Sequence, residues 1–340
     1  MTETTITQTA PILADQAHYL IATAGRAPSV HNTQPWRFRV SETAVELYCD
    51  PQRRLQADPA GREMLISCGA ALFGLRLAVR SLGYQPVVEL LPDPARLRLL
   101  ARVSLGAATP MTAAGREMFR ALPHRHTHRG AFGPGPLPAG LVAGLQHDAL
   151  AEGATLAIVA PGLAYGRLSD IASAVGRRLQ QDAQARADAR RWTRDAGSPA
   201  RDGVPAHAFP ATALPATTLP AMRRRQRKRL PQRDFDLGRG FGLLDPEGPP
   251  PAVTAVLLTP GDNRADWLRA GQGLHRLLLH AASKWVFASL HTELLESTLI
   301  RALVRDRLAL PGAPQMLLQL GAVDTTHPTG RRPPDELIEP

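Results

Sequence analysis

The sequence is short of four things, and each shortage narrows its class. Cysteine occurs only at Cys49 and Cys68, too few for a disulfide framework and without the clustered spacing of a zinc site, which favours a reducing cytoplasm. Aromatic residues make up 5%, so Leu, Ala and Val must fill the interior, as in a mostly helical or α+β protein. Lysine is nearly absent: Lys228 and Lys284 are the two lysines among 40 basic residues, and with 31 prolines this reads as GC-rich coding bias. Finally, the opening MTETTITQTAPIL has neither a basic nor an apolar leader region, and no later run approaches the roughly 18 apolar residues of a membrane span. The expectation is a cytoplasmic protein without a membrane partner.

What is present is a 340-residue chain with 44% hydrophobic content, enough for one large core or two smaller ones. Its net charge of +10 attracts anions of any kind, from phosphorylated cofactors to nucleic acid, and selects none. Apolar spacing predicts helices over 12–25 and 61–82, with Gly25 and Gly83 as their stops. Between them lies a hairpin, 36–40 and 44–49. Strands at 87–91 and 97–105 follow, then a helix at 137–152, a strand at 155–160 and a long helix from about 165. The stretch 197–250, crowded with Pro, Gly, Ala and Arg, reads as a lid, linker or disorder. Beyond it come a strand at 253–259, helices at 265–279 and 290–307, and a strand at 315–320. Gly69, Leu72, Leu75 and Leu77 share their spacing with Gly271, Leu274, Leu277 and Leu279, and each such helix leads to a β-rich run. The chain thus divides into related halves, 1–110 and 111–340, the second carrying the lid, in the manner of a symmetric dimer made from one chain. That leaves a monomer or a homodimer open.

The densest local signal is APSVHNTQPWRF, residues 27–38, between a helix end and a strand. Ser29, Asn32 and Gln34 supply donors and acceptors for a polar ring edge, and Pro28 a flat apolar face, although an ordinary capped turn uses the same residues. The run HRHTHRG at 124–130 alternates histidine with arginine. The histidines suggest a metal, but Arg125 and Arg129 would repel a cation, so no metal is assigned and an anion fits better. A second basic run, RRRQRKR at 223–229, has no interleaved aromatics, and nucleic acid is not favoured as a partner.

In order along the chain, APSVHNTQPW, GREMLISCGAALFGLRLAVRSLGY, RHTHRGAF, DGVP, RDFD, PGDNRADWLRAGQGLHRLLL, GAPQMLLQLG and RRPPDEL resemble the Acg-type branch of the nitroreductase superfamily from about residue 12 to 337. The resemblance implies an α+β nitroreductase-like fold binding FMN, with NADH or NADPH as reductant and a quinone, nitro compound or similar small molecule as acceptor. It implies that Pro28, Ser29, Asn32 and Gln34 contact the flavin. Arg125, Thr127 and Arg129 would form the phosphate arm, joined by Arg331 and Arg332. No catalytic side chain is implied, since the flavin carries the chemistry. The branch also has a lid over its flavin, so the alternative is a flavin-storage protein with little turnover. Two departures stand out: His128 and Gly130 replace the frequent Asn and Arg of the arm. ASLHTELLE at 288–296, the counterpart of the polar loop, lacks the usual Pro and Gln, which points to one flavin per chain.

Overall fold

A computed structural model describes residues 10–195, 197–208, 230 and 252–339. The RDFD motif, the basic run 223–229 and most of the expected lid at 197–250 lie outside the described residues. The first elements are α1 (Ala14–Ala24), β1 (Trp36–Val40), β2 (Ala44–Cys49), α2 (Arg62–Ser81), β3 (Tyr84–Leu90), β4 (Leu99–Ala108) and α3 (Ala113–Ala121). Next come α4 (Leu141–Ala151), β5 (Thr155–Ile158), α5 (Leu163–Gln181), α6 (Ala183–Trp192) and a two-residue parallel pair, β6 (Thr193–Arg194) with β7 (Val204–Pro205). The chain ends with β8 (Val253–Thr259), α7 (Arg264–Ser283), β9 (Val286–Leu290), α8 (Thr298–Arg307) and β10 (Ala313–Ala322). The architecture is α+β.

Two four-stranded antiparallel sheets have the same plan: β1-β2-β4-β3 and β5-β8-β10-β9. In each, a helix precedes the first strand, a long helix joins the second to the third, and the third and fourth pair directly. The long helices are those with the shared glycine spacing. α2 starts where Asp58 accepts a hydrogen bond from the Met64 amide (3.0 Å) and Gly61 turns the chain at φ 73°; it stops before Gly83, at φ 87°. α7 is capped by Asn263, whose side chain accepts from the Ala265 and Asp266 amides. α2 is long and apolar enough to cross a membrane by length and composition, but 83% of its apolar window is buried inside the protein, as suits a core helix.

The sheets flank α2 and α7, which cross in backbone contact. A Cβ on Gly69 would lie 2.2 Å from the Leu268 carbonyl oxygen, and one on Gly271 only 1.9 Å from that of Ile66. The approach lets each helix reach the far core: Leu268 of α7 packs with Leu20, Phe38 and Leu72, while Ile66 of α2 packs with Leu257, Leu277 and Leu318.

Three expectations need correction. The helix expected from 290 begins only at Thr298, and Leu290 instead ends a strand, 286–290, that the sequence reading passes over; four successive buried residues, 286–289, leave no alternation to mark it. The long helix from 165 breaks at Asp182, which accepts from the Gln184 and Ala185 amides and so starts α6. The unanticipated α3 begins where the Thr112 hydroxyl accepts from the Gly115 amide.

Gly271→Ala is expected to lower stability by about 1–3 kcal/mol, since the new methyl must push the two helix backbones apart. The measurement is the urea midpoint; an unchanged midpoint would show that the crossing has slack.

Candidate functional site

The loop 25–35 joins α1 to β1 under unusual backbone conditions. His31, Asn32 and Gln34 all adopt left-handed geometry, with φ of 47°, 54° and 50°. Asparagine tolerates this; for the other two the strain costs about 1–3 kcal/mol each, so surrounding contacts must hold the loop. The Val30 amide donates to the Ser67 hydroxyl (3.1 Å) and the Gln34 amide to the Ser29 hydroxyl (3.0 Å). Asn32 Nδ2 donates to the carbonyls of Gly203 (2.9 Å) and Gly330 (3.2 Å). Gln34 Nε2 donates to the Arg201 carbonyl (2.8 Å), and its Oε1 accepts from the Arg332 amide (2.9 Å). The DGVP motif is thereby explained: it is a buttress. Arg53 and Arg194 grip Asp202 at 2.8 and 2.7 Å, and Gly203, at φ 73°, lies where a Cβ would come 2.7 Å from the Trp192 carbonyl.

The arm after α3 runs along the outer edge of β9, with Thr127 opposite Ala288 and the His128 amide donating to the Ala288 carbonyl (2.8 Å). This edge pairing brings the arm to the loop. Pro28 and Ser29 from one, and Thr127 and Arg129 from the other, line a single cavity of about 810 Å³ counted out to its open mouth. Ile66, Leu274 and Met316 give it an apolar wall.

Beside the cavity is a group of arginines. Arg125 donates to the Arg26 carbonyl (2.8 Å), and Arg331 donates to Asn32 Oδ1 (3.1 Å) and to that same carbonyl (3.5 Å). Burial pushes Arg125 well below the usual guanidinium range, with the charge of Arg331 adding to it. Burial likewise pushes Arg129 down to about 10, and Arg331 down to about 10 with help from Arg26 and Arg129. A guanidinium does not give up its proton near neutrality, so all three stay charged despite the shifts. Among the described residues no carboxylate pairs with Arg125 or Arg331, and the buried Nε atoms of both have no hydrogen-bond partner. An anionic group with several acceptor oxygens fits those unmet donors.

The nine residues expected from sequence therefore divide. Pro28, Ser29, Thr127 and Arg129 line the cavity, and Arg125 and Arg331 join Arg129 in one charged group. Asn32, Gln34 and Arg332 are placed otherwise: Asn32 and Gln34 fasten the loop to residues 201–203 and to the tail, and the Arg332 side chain reaches Glu336. Sequence reasoning misses Glu63 and Ser67 of α2, and Ser289, Thr292 and Glu293, which line the same cavity. The last three belong to ASLHTELLE, which by sequence stands out only as a diverged second loop.

No model of a known protein family matches the chain. A Mycobacterium tuberculosis protein, named provisionally as an NAD(P)H nitroreductase, is 33% identical over 336 residues, covering 96% of this chain and 92% of its own. An uncharacterized protein of that organism is 31% identical over 334 residues, 93% and 90% of the two chains. The acg product, also named provisionally as an NAD(P)H nitroreductase, is 28% identical over 332 residues, 96% of each. Among solved structures, a nitroreductase-like family protein from Bacillus cereus aligns with a TM-score of 0.37 at 13% identity, over 68% of this chain and 98% of that one.

Two histidines beside the arginines give a test by pH. Burial pushes His126 down to about 4 and His275 down to about 3, and in each case the charge of Arg125 adds to the shift. Both stay neutral in the folded protein while the unfolded chain takes up protons below about 6.5. Stability is therefore full above that pH and falls as pH drops towards 4, by about 1.4 kcal/mol per pH unit for each histidine. The urea midpoint should be lower at pH 5 than at pH 7, and His275→Gln should flatten the difference; equal slopes would mean that His275 titrates normally.

Proposed function

The chain belongs to the Acg-type branch of the nitroreductase superfamily, and from this we propose that its cavity holds one FMN and passes electrons from NADH or NADPH to a quinone, nitro compound or similar small acceptor. The reading takes residues 1–110 and 111–340 as two related halves with the flavin between them. The observation that carries it is the meeting of Pro28 and Ser29 with Thr127 and Arg129 at one cavity, next to the buried Arg125 and the half-buried Arg331, neither of which has a carboxylate partner among the described residues.

In this reading Arg125, Arg129 and Arg331 hold the phosphate, three forked donors against a dianion, and the Thr127 hydroxyl adds a neutral donor. Pro28 offers a flat face to the ring. The Ser29 oxygen already accepts from the Gln34 amide, which leaves its proton for the ligand. Ile66, Leu274 and Met316 keep water from the apolar wall. The flavin, when bound, supplies the hydride and electron transfer, so the protein contributes position, charge and dryness. No side chain is assigned as general acid or base.

Two measurements test this. Purified protein should show a flavin spectrum that bleaches when NADH or NADPH is added without oxygen; a yellow protein that does not bleach would favour flavin storage with little turnover. Arg125→Ala and Arg129→Ala should each weaken FMN retention by about 1.5–3 kcal/mol, the worth of a hydrogen bond to a charged group. Undiminished retention in the double variant would remove the phosphate assignment.

A further inference from the structure

The repeat that builds the cavity builds a second recess farther along the α2–α7 pair, of about 1570 Å³ counted out to its mouth. Three of its walls correspond to those of the first, while the start of α3, residues 111–118, closes a side that has no counterpart there. β3 stands where β9 stands, the α4–β5 turn takes the place of the loop before β1, and α2 and α7 exchange roles.

The recess has lost the features of its counterpart. The turn before β5 is only Glu152–Ala154, too short for a polar loop. Among the described residues the outer edge of β3 carries no arm. The residue two before the crossing glycine is Ser67 in the first site and Arg269 in the second. The floor is apolar, with Phe73, Leu77 and Met118 each less than a tenth exposed. The charges are uneven. Arg76 and Arg276 are spent on Glu152 (2.5 and 3.0 Å), and Arg276 also on Asp148 (2.9 Å). Arg269 touches Asp266 at 3.2 Å yet its side chain is 46% exposed, and Arg80 pairs with no carboxylate among the described residues. An apolar floor under a cationic rim is left.

We propose that this recess binds a small anionic amphiphile, a carboxylate, sulfonate or phosphate on an aromatic or alkyl body. The body rests on Phe73 and Leu77, and Arg80 and Arg269 hold the anion. The site is independent of the flavin reading, since it shares no lining residue with the first cavity.

The test is fluorescence titration of the full chain with 8-anilino-1-naphthalenesulfonate and with N-phenyl-1-naphthylamine, the same rings without the charge. The double variant Arg80→Gln/Arg269→Gln should weaken the sulfonate about tenfold, or about 1.4 kcal/mol, while the uncharged probe stays within about twofold. Leu77→Trp, which fills the floor, should abolish binding of both probes. The proposal is overturned if the double variant binds the sulfonate as tightly as the parent, or if Leu77→Trp leaves both probes bound.

Discussion

The contact of α2 with α7 at Gly69 and Gly271 sets the dimensions of everything around it. Helix axes ordinarily stand about 8–10 Å apart because side chains fill the gap. Here each glycine meets the other helix's carbonyl instead. Ile66 and Leu268, which own those carbonyls, are carried into the opposite cores, so neither sheet has a core made wholly by its own half. Ile66 also lines the cavity. Close packing of two helices and the shape of a binding wall are thus one feature, and a change of a few tenths of an ångström at the glycines is felt by both.

On this near-symmetric frame the polar groups are placed asymmetrically. The arm after the first repeat and the tail after the second could each have served a separate site; instead Arg129 and Arg331 come to one place, with Arg125 beside them. Gathering like charges in a buried position raises the folded state's energy, as does the left-handed backbone at His31 and Gln34. Contacts from Ser67, from residues 201–203 and from the tail offset the second cost. The first would be relieved by the anion proposed for this site.

Legibility in the sequence follows the strength of local periodicity. The hairpin 36–40 and 44–49 and the helix 62–81 can be read almost to the residue because alternation, helical spacing and glycine stops agree there. β9 escapes such reading because Val286–Ser289 are buried on both faces, which erases alternation. The site is legible as a pair of segments but not as a set of roles: Asn32 and Gln34 are the amide residues one would pick for a ligand, and nothing local reveals that their amide nitrogens donate to backbone carbonyls of residues 201, 203 and 330. Side-chain direction in a loop depends on what the distant chain brings to it.

The tail shows the same dependence at longer range. By sequence alone, RRPPDELIEP is a charged, proline-rich end. In the fold the Phe38 amide donates to the Leu337 carbonyl, the Glu339 amide donates to the Phe38 carbonyl, and Leu337 is fully buried in the first core. The prolines limit the freedom of the unfolded tail and so reduce the cost of laying it down. Once down, it presents the Arg332 amide to Gln34 and Arg331 to the arginine group. An anion that joins those arginines therefore binds a surface that is complete only when the tail is docked, since Arg331 comes from it. Ligand binding and tail ordering must then stabilise each other by equal free energies, as linkage requires of any two events that share a state.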